Sequence, residues 1–457
     1  MRNKMNFKNN KAFYSSVLAI AFPIMLQNLV NFGVSMMDTL MVGTLGEVGL
    51  SAASAANNWT FLFFILSFGV ANGCAVLTAQ YWGAGNREKV VEVIALLYRV
   101  VMAVALFFFV TGFFFSETLM RIFIPDPEVI AEGAKYLRIV SFGFFLGAVT
   151  NASIGILRSV GTVKISVVVY SVSLVVNTIF NYFLIFGKCG FPRLGIEGAA
   201  IATVISRGVE ALLMVLFMLK YDTKLGFKLK DLLHVENSVV KLSFKYAMPV
   251  VVNDIIWGIG NMTVCVIIGH LGKEALSANS ICNVLFQLAQ SAVFGLCSAS
   301  GALTGQTVGA GDYEGARKKA KVFTVMSLIL GICGSVIMFF ARYPLIAFYK
   351  GSLSALAIEY AYSMSAVAAF LAFMQTVAMV TMIGILRGGG DTKFVMVSDV
   401  LFMYIFSIPL GILTGFYLKW PVYWVYLVLK IDDVIKSFVG PARLKSGVWL
   451  KDITKEK

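Results

Sequence analysis

The chain has 457 residues, of which 59% are hydrophobic and only 14% charged, with a formal net charge of +14. Soluble domains carry roughly 25% charged residues, so this composition excludes an ordinary soluble protein and indicates an integral membrane one; the mean hydropathy of +0.83 agrees. In a soluble chain such positive charge would suggest nucleic acid, but its placement along this sequence gives another explanation.

The N-terminus is polar and basic, and the apolar run from Phe13 to Val42 that follows is too long for the core of a signal peptide. Apolar runs of about 20 residues recur down the chain, each long enough to span a bilayer as a helix. They do not alternate in polarity as barrel strands would. About twelve helices are expected, near 13–42, 50–80, 90–116, 129–157, 163–187, 195–219, 242–268, 276–306, 319–341, 354–386, 394–418 and 420–440. The expected fold is therefore an all-α membrane protein.

The second half repeats the first. Gly43, Leu45, Gly46, Leu50, Ser51, Ala52 and Ser54 recur in one gapless register as Gly269, Leu271, Gly272, Leu276, Ser277, Ala278 and Ser280. The same register carries Pro23 onto Pro249 and Gln80-x-x-Gly83-Ala84-Gly85 onto Gln306-x-x-Gly309-Ala310-Gly311. With a small slip, Ile154-Gly-Ile-Leu-Arg158 becomes Ile383-Gly-Ile-Leu-Arg387. The chain is a duplication. Six helices per half is an even number, so both copies enter the membrane from one side. Two six-helix lobes related by a pseudo-twofold axis along the membrane normal are expected. The expected divisions are an N-terminal lobe over 1–220, a linker over 221–241, a C-terminal lobe over 242–440 and a tail over 441–457. The segment from Leu229 to Leu242 has mixed polarity and is expected to lie on the inner surface as an amphipathic helix.

Most of the 38 Lys and Arg residues lie on one side. The N-terminus (Arg2, Lys4, Lys8, Lys11), alternate loops (among them Arg87, Lys89, Lys164, Lys224, Lys318 and Lys393) and the C-terminal region (Lys430 to Lys457) carry them. The other side holds only Arg121, Lys135, Lys188, Arg193, Lys273, Arg342, Lys350 and Lys419. The positive-inside rule then places both termini in the cytoplasm of a multi-pass cell-membrane protein. The charge is topological, and no nucleic-acid partner is expected.

The six cysteines lie in or near apolar runs without metal-ligand spacing and read as small core residues. Gly83-Ala84-Gly85-Asn86, Gly309-Ala310-Gly311-Asp312 and Arg387-Gly-Gly-Gly-Asp391 faintly suggest nucleotide loops, but none has P-loop spacing and no strand precedes them. They read instead as tight turns, Gly closing one helix and Asn or Asp opening the next. No nucleophile triad or metal cluster is visible. An enzyme is not expected, and neither is a cofactor.

A charged residue inside an apolar segment is costly and is a functional candidate by default. Asp38 lies near the outer end of helix 1, and its counterpart in the second copy is Val264. Asn177 and Asn181, four apart, share one face of helix 5, and Thr203 lies near the outer end of helix 6 with Ala199 one turn before it. Three helices thus bring polar groups to similar depth. A carboxylate with two amide oxygens and a hydroxyl can bind a proton or coordinate Na⁺. Taken singly, Asp38 reads equally as an interfacial carboxylate, and the asparagines as interhelical hydrogen-bonding groups. The second half offers Asp254 in helix 7 and Asp399 in helix 11 as coupling candidates, while Asp432 and Asp433 suit a helix-end role. Arg207 and Glu210 are most simply an intrahelical ion pair. Gln27, Asn31, Trp257 and Met374 are candidates for lining a substrate cavity. Pro23, Pro249 and Pro409 sit inside long helices, as hinges or static kinks.

The Asp38-Thr-Leu-Met-Val-Gly-Thr-Leu-Gly stretch, the paired Gln-x-x-Gly-Ala-Gly loops and Gly-Ile-Leu-Arg ends, Asn177-x-x-x-Asn181-Tyr and Gly198-Ala-Ala-x-Ala-Thr203 together resemble the multidrug and toxic compound extrusion (MATE) family, in its bacterial NorM/DinF-like form. The resemblance covers nearly the whole chain. It implies cation-coupled export of small amphipathic, often cationic, compounds, with H⁺ or Na⁺ as the coupling ion and membrane lipid as the surroundings. A monomer is expected. The family's N-lobe cation site falls on Asp38, Asn177, Asn181, Ala199 and Thr203. Branches with a second helix-5 carboxylate would carry it where Asn181 stands. The acids on helices 7 and 10 of the NorM-like branch align to Trp257 and Thr376, so that C-lobe pair is missing and Asp254, one turn earlier, is the nearest replacement. The second reading is a flippase for a lipid-linked glycan precursor. Its cavity would need several cations to hold a pyrophosphate, and only Arg99, Arg138 and Arg207 lie deep in the helices.

Overall fold

The computed structural model describes residues 11–222, 224–350 and 353–455. Arg2, Lys4, Lys8 and Lys457, which enter the charge argument, lie outside the described residues. Among the described residues there is no strand. The helices are α1 (Lys11–Gly43), α2 (Glu47–Gly83), α3 (Arg87–Phe114), α4 (Ser116–Phe123), α5 (Pro127–Val140), α6 (Phe142–Ser159), α7 (Lys164–Phe186), α8 (Ile196–Tyr221), α9 (Asn237–His270), α10 (Lys273–Gly309), α11 (Tyr313–Tyr349), α12 (Ala355–Leu386), α13 (Thr392–Tyr417), α14 (Val422–Leu429) and α15 (Ile431–Ser446). Among the described residues ten helices are long and apolar enough to cross a membrane, or eleven if α5 and α6 form one span.

Three expectations need correction. The single helix expected over 129–157 is two, α5 and α6, bent by 49°. The bend falls at Ser141, whose hydroxyl donates to the carbonyl of Leu137 at 2.6 Å. Such back-bonding bends helices, and the neighbouring α3 leaves room for it, since a Cβ on Gly112 would come within 2.4 Å of the Ser141 hydroxyl. The last helix, expected over 420–440, breaks at Lys430 and runs on to Ser446. The segment expected as one amphipathic helix from Leu229 to Leu242 is broken: Leu229–Leu233 forms a 3-10 turn, held by the Lys228 amide donating to Asp231 at 2.8 Å, and the residues from Asn237 on begin α9.

The glycine-rich segments are turns. Gly85 and Gly311, equivalent in the two repeats, both have φ +75°, the left-handed conformation that glycine adopts without a Cβ penalty. Asp312 caps α11 by accepting from the Gly315 amide at 2.9 Å.

The chain divides into two compact units. One comprises Leu26–Thr78 and Arg87–Phe244. Its core packs Val42, Ala52, Ala56, Met120, Tyr136, Leu137, Ile185 and Ala199 from α1, α2, α4, α5, α7 and α8. The other comprises Met1–Met25, Ala79–Asn86 and Lys245–Lys457, with a core that includes Ile268, Cys282, Met338, Met364, Ala368, Val425 and Leu429. The division cuts α1 just after Pro23 and cuts α2 just before Gln80, so short pieces of the first repeat pack with the second. A Cβ on Gly83 would lie 1.9 Å from the Gln306 carbonyl oxygen, and one on Gly309 would lie 1.9 Å from that of Gln80. The repeated Gln-x-x-Gly motifs therefore clasp each other reciprocally, each glycine admitting the other motif's backbone.

Candidate cation site and the paired acids of the second half

In the first unit, α1, α7 and α8 bring most of the expected N-lobe residues to one place. The Asn181 side chain is fully buried. Its Nδ2 donates to Asp38 Oδ1 at 2.9 Å and to Asn177 Oδ1 at 3.1 Å. The four-residue spacing on α7 stacks the two amides on one face, and the face meets α1 at Asp38. Thr203 on α8 donates to the carbonyl of Ala199 at 3.0 Å, which leaves its hydroxyl oxygen with accepting capacity. The Asn181 Oδ1 is buried without a hydrogen-bond partner. Leaving such a group unsatisfied costs about 1–3 kcal/mol, which a ligand or a rotated amide would recover.

Two further groups belong to this neighbourhood. Tyr136 on α5 is buried, and its hydroxyl interacts with Thr203 and lies within electrostatic reach of Asp38 and Arg207. Sequence reasoning missed it, because a tyrosine between Lys135 and Arg138 looks like part of a polar helix end. Arg207 and Glu210 on α8 form the expected intrahelical ion pair at 3.1 Å. Ser173 on α7 donates to Glu210 at 2.5 Å, so this pair also ties α7 to α8.

The second half is built differently. Asp254 on α9 is held by Arg387 at 2.8 Å, with the arginine side chain 5% exposed. Asp399 on α13 and Asp432 on α15 share one ammonium: Lys436 Nζ lies 2.8 Å from each. The Ser407 hydroxyl donates to Asp432 at 3.1 Å and accepts from its backbone amide at 3.0 Å. Asp432 and Asp433 lie in the first turn of α15, at a helix end created by the break at Lys430, and Asp432 is buried there. Val264, in Asp38's repeat position, is an apolar core residue. The two acids singled out in this half are thus already neutralised by fixed cations.

The cavity candidates scatter. Gln27 is buried, with its Oε1 unpartnered. Asn31 is exposed, Trp257 is 47% exposed, and Met374 accepts from the Ser437 hydroxyl at 3.3 Å. Gln27 and Asn31 fall in one compact unit, Trp257 and Met374 in the other. Among the described residues no group of His, Cys, Asp and Glu could hold a transition metal.

The MatE family model matches residues 23–183 and 249–413, one copy on each half of the duplication. The chain is 25% identical over 445 residues to a protein of Thermotoga maritima called a probable multidrug resistance protein NorM, covering 95% of this chain and 93% of that one. It is 23% identical over 418 residues to the probable multidrug resistance protein YoeA of Bacillus subtilis, covering 90% and 89%. Among solved structures, one described as the outward-facing conformation of a multidrug resistance MATE family transporter of the MOP superfamily superposes with a TM-score of 0.86 at 17% identity, over 95% of this chain and 96% of that one. At that identity the likeness establishes the fold.

Proposed function

The chain belongs to the MATE family of membrane transporters, and from that premise we propose that it exports small amphipathic, often cationic, compounds in exchange for H⁺ or Na⁺. It is a multi-pass membrane protein and a transporter, not an enzyme. We read the repeats as its functional halves, both termini as cytoplasmic, the cell membrane as its location, and the protomer as sufficient for transport.

The observation that carries the coupling reading is Asn181 placed between Asp38 and Asn177 with its own Oδ1 buried and unpartnered. A charged carboxylate only accepts hydrogen bonds, whereas a protonated one also donates. With Asp38 charged, the Asn181 amide donates to it. When a proton occupies Asp38, or Na⁺ lies against it, the matching arrangement turns the amide so that Oδ1 faces the site. Thr203, Asn177 and the Ala199 carbonyl then complete a set of hard oxygens, the ligand type that Na⁺ takes. Asp38 is half-buried beside the buried Asn177 and Asn181, and a charge left without its ion in such an apolar setting is expensive, so the site holds its ion until it opens to water. Pro23 in α1 supplies a point at which that helix can bend.

The environment of the deep arginines favours an exporter over a lipid-linked glycan flippase. Arg207 pairs with Glu210, Arg138 with Glu117 at 3.1 Å, and Arg99 Nε donates to the Leu232 carbonyl at 2.8 Å. Each of these cations is engaged by the protein and is poorly placed to hold a pyrophosphate. The test is transport in proteoliposomes under an imposed proton or sodium gradient, with a cationic dye as substrate. Dye movement that follows one gradient supports antiport and identifies the ion; dye movement indifferent to both would reject it.

A further inference from the structure

The C-terminal segment 447–455 is not a loose tail. Gly447, at φ +73°, ends α15, and the chain turns back along the helix ends. Trp449 is fully buried, with its Nε1 donating to the Leu444 carbonyl at 3.0 Å. Its ring fills the space over Gly389, where a Cβ would come within 2.3 Å of it. The Lys451 amide donates to the Gly389 carbonyl at 2.9 Å. The Lys451 ammonium and Arg443 bind the buried carboxylate of Asp391 from two sides, at 2.6 and 2.9 Å. Asp452 accepts from the Tyr313 hydroxyl at 2.8 Å. The segment thus closes over the Arg387–Asp391 turn of the second repeat.

At the centre of this closure is a residue of the first repeat. Gln80, near the end of α2, is fully buried. Its Nε2 donates to the Lys451 carbonyl at 3.1 Å and to the Gly388 carbonyl at 3.2 Å, and its Oε1 accepts from the Ile453 amide at 2.9 Å. One amide side chain therefore joins the tail, the turn after α12 and the end of α2. The reciprocal clasp of Gly83 on Gln306 and Gly309 on Gln80 lies in the same region.

We propose that segment 447–455, hooked on Gln80, is a latch of the transport cycle. It holds the end of α2 against the second repeat, and so stabilises the conformer closed at this end of the helices, which the reading above makes the cytoplasmic end. In the proposed cycle, opening this end draws residues 79–86 away from the turn at 387–391. That movement breaks the three Gln80 bonds together and frees the tail. Its hydrogen-bond partners, Gly388, Lys451 and Ile453, belong to neither the cation site nor the cavity candidates, so its part is positional: it sets how often this end opens. The inference rests on the transporter reading for its meaning, but the opening can be measured without any transport.

The test is hydrogen–deuterium exchange of the full chain in lipid nanodiscs, comparing wild type with Gln80→Ala and with Gln80→Glu, and with thermal unfolding as a check on folding. A latch predicts that Gln80→Ala speeds exchange by about tenfold, the order expected for losing hydrogen bonds of this kind. The acceleration should appear in the tail and, in step, in residues 79–86 and 384–391, because they open as one unit. Gln80→Glu keeps the acceptor for Ile453 but turns a carboxylate oxygen onto the Lys451 and Gly388 carbonyls, so it should speed exchange at least as much as Gln80→Ala. In dye transport, kcat should change while KM stays at its wild-type value. Faster exchange confined to the tail, with 79–86 and 384–391 unchanged in both variants, would overturn the proposal and leave the segment a static cover. Wild-type protein that transports nothing but shows the coordinated exchange would contradict the exporter reading and leave the latch intact.

Discussion

Asn181 donates to Asp38 across 2.9 Å, and this bond joins α7 to α1. Because the same nitrogen also serves Asn177, one amide ties the candidate site together. Asn181→Ala should slow gradient-driven transport by about ten- to a hundredfold, the range for losing a hydrogen bond to a charged group. The concentration dependence on the coupling ion should shift, while the dye KM should hold. Initial rates against ion concentration, at matched protein level, check this.

Asp254 is an acid of another kind. Its partner Arg387 is nearly buried, and removing one member of a buried pair costs about 3–5 kcal/mol by stranding the other. Asp254→Asn should therefore lower thermal stability and protein yield before it alters coupling. Unfolding midpoints in detergent decide between the two effects, and a fully stable, uncoupled variant would return Asp254 to the list of coupling acids.

Lys436 neutralises Asp399 and Asp432 at once. Lys436→Met should destabilise by a similar 3–5 kcal/mol, and adding Asp399→Asn to it should recover part of the loss, since fewer buried charges are then unmatched. A double-mutant cycle of unfolding free energies measures the coupling.

The duplication supplies a matched pair of tests. A methyl group on Gly83 or Gly309 would collide with the other motif's backbone at 1.9 Å, where backbone cannot yield as a side chain can. Gly83→Ala and Gly309→Ala should both depress folded yield, to similar degrees. Gly85 and Gly311 have open space but φ +75°, so alanine there should cost only the milder penalty of the left-handed conformation, about 1 kcal/mol. Fluorescence-detected size exclusion reads all four.

Outside the membrane, the Lys89 ammonium, by hydrogen bonding to Glu236, holds that carboxyl below its ordinary value of 4.5. A depressed carboxyl stabilises the folded state above its unfolded pKa and ceases to do so as pH falls through the folded value. The linker residues 229–236 should therefore be equally protected from protease at pH 8 and pH 5 and loosen only below about 4.5. The effect is modest because Glu236 is exposed. Glu236→Gln should remove the pH dependence.

Much of this was legible in the sequence because the physics is local. Apolar runs set the helices, the repeat marks the duplication, and glycine-rich turns set the junctions, but the pieces of α1 and α2 that pack with the second repeat leave no mark in the sequence. Asp38 is legible as a charge inside an apolar run, and the α7 pair by its four-residue spacing at similar depth; the family resemblance points to the same residues. What was hidden depends on distant partners. The Arg387–Asp254 and Lys436–Asp399 pairs cross long stretches of sequence and leave no periodic signal. The bend at Ser141 lacks a proline. The closure of the tail on Gln80 had a single clue in Trp449, a large aromatic among lysines.

We propose that Asp38 couples the cation gradient to export. Asp38→Asn is nearly isosteric and removes a charge from an apolar setting, so expression and fold should persist. The direct measurement is gradient-driven dye efflux in proteoliposomes, wild type and Asp38→Asn, with protein level quantified in each. The account predicts that the variant is present at wild-type level and shows no transport above the gradient-free rate. Efflux by Asp38→Asn at the wild-type rate under the same gradient would contradict it.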